Sequence, residues 1–370
     1  MNRRPTQSRT GYDSFSTRHA ANFTASTPGD DFFEKKRKRP LALRLTGVLL
    51  LLLLLLLIAN FAVNQFIHVT RVTVPITGLT EDFDGYTLLH ISDLKGSSFG
   101  ADQRMLRFAL GSSSYDAVVL TGDMLSLHGN ARPLYALIEQ LRLLQPDIPI
   151  YFIAGDDDPP VTSSSYFTGG SPFAPWVLGA QHRGAQLLAS PQAVTRGDQT
   201  LWLTARHHLS LDMDTMQRQF ELQYLNALDS GDENEIELAT YNLQWLEETR
   251  TARKAMRAQD AVITLTHTKP SSDALSAPAF RSADLVLCGH ALGGLIRLPF
   301  IGPVFVPSPD LPHYGIFPGA QAHCGLTREN GTSVYASPGL GTENDDYPFF
   351  FFRLFNPPTV TLVTLTPSSI

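Results

Sequence analysis

From Leu45 to Ile67 the chain runs 23 residues without a charged side chain, and Leu49 to Leu57 are nine consecutive leucines. Hydrocarbon offers no partners for exposed backbone groups, so an apolar run of about 20 residues is read as one membrane-spanning α-helix. Just ahead of it stand Lys35-Lys36-Arg37-Lys38-Arg39, with Arg44 at its edge, whereas the residues that follow carry little positive charge. The positive-inside rule predicts a cytoplasmic N-terminus and a main domain on the other side of the cell membrane, in single-pass topology. A cleaved signal peptide is the competing reading. The stretch exceeds the usual apolar core of a signal and no A-x-A site follows it, which favours an uncleaved anchor.

Charge is divided unevenly around this run. Residues 1–44 hold ten Lys/Arg against four Asp/Glu, and the rest of the chain holds 19 against 31. The polar, aperiodic residues 1–34 read as a disordered cytoplasmic tail. An acidic main domain repels phosphate backbones, which excludes a nucleic-acid binder. The 370 residues are 43% hydrophobic, too apolar for a disordered protein. Cys288 and Cys324 cannot make a disulfide scaffold; two free buried thiols are favoured over a single bridge.

Past the anchor, apolar runs alternate with helical patterns in βαβ fashion. Strands are predicted at 71–75, 86–92, 116–121, 149–154, 200–204, 261–266, 284–288, 333–336 and 359–365, with helices at 103–110 and 132–144. Residues 210–258 read as a helical insertion with eight acids between Glu221 and Glu248. Residues 70–366 therefore form one α/β domain of helix-covered sheets.

Functional groups in α/β sheets collect at the carboxyl ends of strands. Here five such ends run into Asp93-Leu94-Lys95-Gly96, Gly122-Asp123-Met124, Gly155-Asp156-Asp157-Asp158, Thr266-His267-Thr268 and Gly289-His290-Ala291. One Asp after a strand is usually a turn former. Five ends in series gather like charges, which repel by roughly 4 kcal/mol at 4 Å and an effective dielectric near 20, so the cluster calls for a cation.

The segments LLHISDLKGSSFG, DAVVLTGDM, FIAGDDD, ITLTHTKP, LVLCGHALGGLIRLPFIGPVF, YASPGLG and FNPPTVTLVTL, in that order, resemble the calcineurin-like metallophosphoesterases, and more closely their bacterial membrane-anchored branch. The resemblance implies an αββα two-sheet sandwich and a dinuclear metal site with ligands from D-x-H, G-D, G-N-H-[DE], a lone His and G-H-x-H. This chain departs from the pattern. Lys95 replaces the first His, Asp156 and Asp157 replace Asn and His, and Leu292 replaces the last His. The position implied to hold the first metal keeps Asp93 and Asp123 but neither imidazole. The second keeps Asp123, Asp156, His267 and His290.

The expected site therefore holds one divalent ion (Mn, Zn or Fe) or none, with Lys95 lying between Asp93 and Asp123 as a substitute cation. A solvent-facing Lys95 is the bland alternative. Asp157 stands where the resemblance implies a catalytic histidine and would repel a phosphate there. The favoured reading is an impaired phosphoesterase that binds a phosphate-containing or other anionic small molecule or lipid headgroup. The alternative is an active one-metal enzyme acting on a lipid headgroup or cell-envelope phosphoester. Gly96-Ser97-Ser98-Phe99-Gly100 matches the G-x-S-x-G nucleophile elbow, with Asp284 and His290 available in order, but reads as a chance match. His207-His208 reads as surface or turn, His313 and His323 as pocket-bordering loop, and Phe349 to Phe352 as core or membrane contact.

Overall fold

The computed structural model of the chain describes residues 41–166, 171–277, 283–291, 293–298, 301–306, 315–318, 324–342 and 353–368. The tail through residue 40, Leu292, His313, His323 and Phe349 to Phe352 lie outside the described residues. The chain divides into two units, residues 1–53 and 54–370.

The apolar run forms helix α1 (Leu41–Asn64), long and apolar enough to cross a membrane, with none of its residues buried. It ends three residues before the run does. Ile67 is instead buried in the core of the following domain, so the tail of the apolar stretch serves packing. It also begins one turn before the expected start, at Leu41.

Two six-stranded sheets follow. The first has the order β1 (His68–Ile76), β14 (Thr359–Pro367), β2 (Thr87–Ile91), β3 (Ala117–Thr121), β4 (Ile150–Ile153), β5 (Ala185–Leu187). The second has the order β12 (Gly325–Glu329), β13 (Thr332–Ala336), β9 (Leu285–Cys288), β8 (Ala261–Leu265), β7 (Gln199–Ala205), β6 (Gln192–Arg196). Strands β2 to β5 are mutually parallel, as are β7, β8, β9 and β13. A small ribbon, β10 (Ile296–Leu298) and β11 (Gly302–Phe305), stands apart from both sheets.

Strand periodicity explains the layering. Neighbours along a strand face opposite ways. Leu88, Val119 and Val363 of the first sheet therefore meet Leu203, Ile263 and Leu287 of the second in one buried cluster. Leu89, Val118 and Leu120 face the other way, onto helices α2 (Arg104–Leu110), α3 (Arg132–Leu144) and α4 (Pro175–His182). Helix α3 buries Leu134, Leu137, Ile138 and Leu141, the i, i+3, i+4, i+7 face of an amphipathic helix. Truncating a residue such as Leu120 to Ala costs about 2–5 kcal/mol. The outer face of the second sheet packs Trp202 and Val262 on Leu209 of α5 (Arg206–Ser210), and Val286 and Val334 on Leu275 of α8 (Ser272–Ser276). Helix, sheet, sheet, helix is the αββα order that the family resemblance implies.

The acidic insertion is a helical hairpin, α6 (Met213–Ser230) and α7 (Glu233–Ala255), preceded by the short α5. Asp212 and Asp232 each cap a helix by accepting two backbone N–H groups, and Gly231 takes the left-handed conformation (φ 70°) that ends α6.

Candidate metal centre

Because the central strands of each sheet run parallel, their carboxyl ends open on one rim. Asp93 follows β2, Asp123 follows β3, Asp156 to Asp158 follow β4, His267 follows β8 and His290 follows β9. The backbone bends sharply there. Asp93 (φ 53°), Lys95 (φ 47°), Asp123 (φ 53°) and His290 (φ 68°) all adopt left-handed conformations that non-glycine residues rarely hold. Each costs of order 1–3 kcal/mol, and such strain gathers where side chains must be aimed. Two glycines permit the close approach: a Cβ at Gly155 would overlap the Asp123 carboxylate, and one at Gly289 would overlap Ser92 and Asp93.

Asp123, His267 and His290 offer three donor atoms that all lie within 4.8 Å of one another. His267 turns Nδ1 to the Thr121 carbonyl (2.8 Å) and Nε2 to Asp123 Oδ2 (3.0 Å). A backbone acceptor on the rear nitrogen is the usual support of a metal-binding histidine. Nδ1 of His290 stands 3.3 Å from Nε2 of His267. Burial works against a charged His267, but the hydrogen bond to Asp123 and the charges of Asp93 and Asp123 outweigh it and push its pKa up to about 9. Burial likewise opposes ionisation of Asp123, yet His267 and then Lys95 hold its carboxyl well below the usual carboxylate range.

Lys95 is buried, so it does not face solvent. Its Nζ lies 2.7 Å from Asp123 Oδ2 and 2.7 Å from Asp157 Oδ2. Burial disfavours the ammonium, but Asp123 and Asp93 more than compensate and raise its pKa above the ordinary lysine value. The cation thus pairs with Asp123 and Asp157, whereas the sequence reading put it between Asp93 and Asp123. The reason is that the Asp93 carboxylate already accepts from Ser92 Oγ (2.6 Å) and from the His290 N–H (3.1 and 3.2 Å).

Asp93 and Asp156 stand outside the three-donor group. Asp156 is 61% exposed; its Oδ2 accepts from Thr268 Oγ1 at 3.0 Å and lies 3.5 Å from His290 Nδ1. Asp157 donates its N–H to Asp123 Oδ1 (3.0 Å) while its carboxylate holds Lys95. Asp93, Asp123, Asp156 and Asp157 outnumber Lys95 and a protonated His267, so the donor set and its charge suit a divalent cation. Carboxylate mixed with imidazole is a donor set that divalent metal ions accept.

Three further residues matter that sequence reasoning gave no role. Asp158 is buried and accepts the N–H groups of Met124 (3.0 Å), Leu125 (2.9 Å) and Gly155 (2.9 Å), tying the β4 loop to the one that carries Asp123. Burial raises its pKa against the pull of these N–H groups. Arg353 is buried and donates to the Pro338 carbonyl (2.6 Å) and the Gly341 carbonyl (3.0 Å). Gly341 in turn donates to the Asp93 carbonyl (2.6 Å), and the Arg353 carbonyl accepts from the amides of Asn60 (2.6 Å) and Asn64 (2.8 Å). His208, read from sequence as surface or turn, is fully buried between the Ala205 N–H (3.0 Å) and the Ala189 carbonyl (2.7 Å). An imidazole with a backbone partner on each nitrogen is satisfied inside, and burial pushes its pKa down to about 3. Ser98 of the G-x-S-x-G match is exposed, and among the described residues no hydrogen bond joins it to an imidazole. Cys288 and Cys324 are both free, the first buried and the second half-buried.

A two-sheet sandwich with carboxylates and imidazoles on one strand-end rim is a scaffold suited to holding a divalent metal ion. The chain belongs to the calcineurin-like phosphoesterase family, whose model matches residues 86–293. It is 22% identical over 309 residues to the uncharacterized metallophosphoesterase YkuE of Bacillus subtilis (strain 168), covering 83% of this chain and 88% of that protein. Among solved structures, phosphopantetheinyl hydrolase PptH from Mycobacterium tuberculosis matches at TM-score 0.34 and 12% identity, over 77% of this chain and 98% of that one. The protein TT1561 of Thermus thermophilus matches at TM-score 0.35 and 12% identity, over 69% and 90%.

Proposed function

We propose that this protein is a membrane-anchored phosphoesterase-family domain that holds one divalent ion and a phosphoryl ligand, with hydrolysis weak or lost. The observation that carries the reading is Lys95, buried and salt-bridged at 2.7 Å to Asp123 and to Asp157. Its ammonium occupies Asp123, one of the two carboxylates, with Asp93, that a second metal would need. Asp123, His267 and His290 would hold the remaining ion, with Asp156 at the mouth as a fourth donor, the second through oxygen. A bound ion there supplies Lewis-acid attraction for phosphoryl oxygens. His267 gives up its Nε2 proton to bind it. Asp157, engaged by the ammonium, offers a leaving group no proton, and general acid catalysis is worth about 10²- to 10⁴-fold.

The alternative is a one-metal phosphoesterase on a lipid headgroup or cell-envelope phosphoester; the fixed Lys95 cation favours it as a second positive charge beside the phosphoryl group. Elemental analysis and turnover decide between them. The expected result is at most one Mn, Zn or Fe per chain and near-background hydrolysis of phosphomonoesters and diesters. Lys95→His, Asp156→Asn, Asp157→His and Leu292→His together should raise the count to two and restore turnover, while single reversions do little because such sites act as a unit. Robust wild-type turnover that vanishes in both Asp123→Ala and His267→Ala would replace the impaired reading with the one-metal enzyme.

A further inference from the structure

Beside the metal centre lies a cavity of about 560 Å³, within the range of small-molecule sites. Asp156, His267 and Thr268 line the part that meets the metal centre. The remaining wall is apolar along Ile153, Leu187 and Leu265 at the ends of β4, β5 and β8 and along Tyr241 and Trp245 from α7, and polar along Arg206, His207, Ser210 and Asn242. Tyr241 and Trp245 are four residues apart, on one face of the helix. Both rings are held in place. The Trp245 indole N–H donates to the Ala189 carbonyl and its ring meets Phe220 of α6 edge-on at 6.1 Å. The Tyr241 ring meets Phe173 edge-on at 5.3 Å. An inorganic phosphate, small and strongly hydrated, gains nothing from such a wall, and an apolar surface left facing water is unfavourable.

We infer that this cavity seats the apolar part of a phosphorylated ligand, its phosphoryl group at Asp123, His267 and His290 and an alkyl or aryl body against Tyr241 and Trp245. The inference rests on the reading of the metal centre as a phosphoryl site and adds the chemistry of what the phosphoryl group carries. The α6–α7 hairpin then acts as a specificity element, since α7 supplies the aromatic wall and α6 backs it.

The test is calorimetric binding to the full chain in nanodiscs with Mn²⁺ present. Methylphosphonate, phenylphosphonate and hexylphosphonate share one anionic head and differ only in the apolar body, with empty nanodiscs correcting for partition. The phenyl or hexyl compound should bind at least tenfold more tightly than the methyl one, and the larger gain of the two tells an aryl from an alkyl body. Trp245→Ala should erase the gain without changing the affinity for methylphosphonate. Tyr241→Ala, which leaves the Ala189 hydrogen bond untouched, should reduce the gain as well and guards against a folding defect. Equal affinities for the three compounds, or a gain that survives both substitutions, overturns the assignment of the cavity and leaves the phosphoryl site standing. Failure of all three to bind overturns both.

Discussion

Divalent-metal binding should strengthen tenfold per pH unit between pH 6.5 and 8.5, because His267 must lose a proton before it can ligate. Its Nε2 stands 3.0 Å from Asp123 Oδ2, with Nδ1 fixed on the Thr121 carbonyl. Burial disfavours the imidazolium, yet Asp123 and Asp93 overrule it and carry the pKa to about 9. At pH 7 roughly one molecule in 100 then has a neutral His267, a penalty of about 2.7 kcal/mol on the apparent affinity. Above pH 9 the gain should level off. Lys95 does not enter, since its pKa is raised rather than lowered. Titration calorimetry with Mn²⁺ at pH 6.5, 7.5 and 8.5, in two buffers of different ionisation heat, measures both the affinity and the protons released. Close to one proton per ion is expected at pH 7.5, and His267→Asn should flatten the slope. An affinity that stays level across the range, or proton release near zero, would mean that the imidazole is already neutral and would refute the argument.

Lys95→Met should destabilise the metal-free domain by about 3–5 kcal/mol, the loss expected when one partner of a buried ion pair is removed; chemical denaturation with EDTA present measures it, and a change under 1 kcal/mol would contradict the pairing. Asp158→Ala leaves the N–H groups of Met124, Leu125 and Gly155 without their acceptor, and at about 1–3 kcal/mol for each buried group the variant should unfold earlier and lose metal affinity as the Asp123 loop loosens. Asp158→Asn, which keeps an acceptor oxygen, should recover much of the loss; equal damage from both would point to charge instead. For topology, protease added to intact spheroplasts should digest the domain after residue 70 and spare the tail before residue 44, and protection of the domain would reverse the orientation.

Much of the scaffold was legible because burial on both faces leaves an unbroken apolar run. DAVVLT and PIYFIA are such runs, and they became β3 and β4, each ending in the Gly-Asp pair that turns the chain. Helix α3 was legible to the residue, since Pro133 marks its start and its leucines keep helical spacing. That Asp123, His267 and His290 share one rim followed from their places at strand ends, and their grouping at one metal position, with Asp156, came from the family resemblance. What escaped depends on where a side chain points and on what lies across a gap in sequence. Nothing in Asp93-Leu94-Lys95 says that Ser92 and the His290 N–H already occupy the Asp93 carboxylate, which leaves the ammonium to Asp123 and Asp157. Asp156, Asp157 and Asp158 look alike in a row, yet one is at the mouth, one holds a lysine and one is buried on three N–H groups. Arg353 carried no local signal, since its acceptors are backbone carbonyls that exist only once the loops have closed.

The Lys95 ammonium differs from any dissolved cation in one respect: it is tied to the chain that needs it. A metal counter-ion can be chelated away or outcompeted when supplies change, and each carboxylate it leaves behind becomes a source of repulsion. A lysine tethered by its own side chain 2.7 Å from Asp123 and from Asp157 has no concentration to fall below. The rim that carries these acids can therefore keep its shape when metal is scarce, because the charge that holds Asp123 and Asp157 is part of the fold itself.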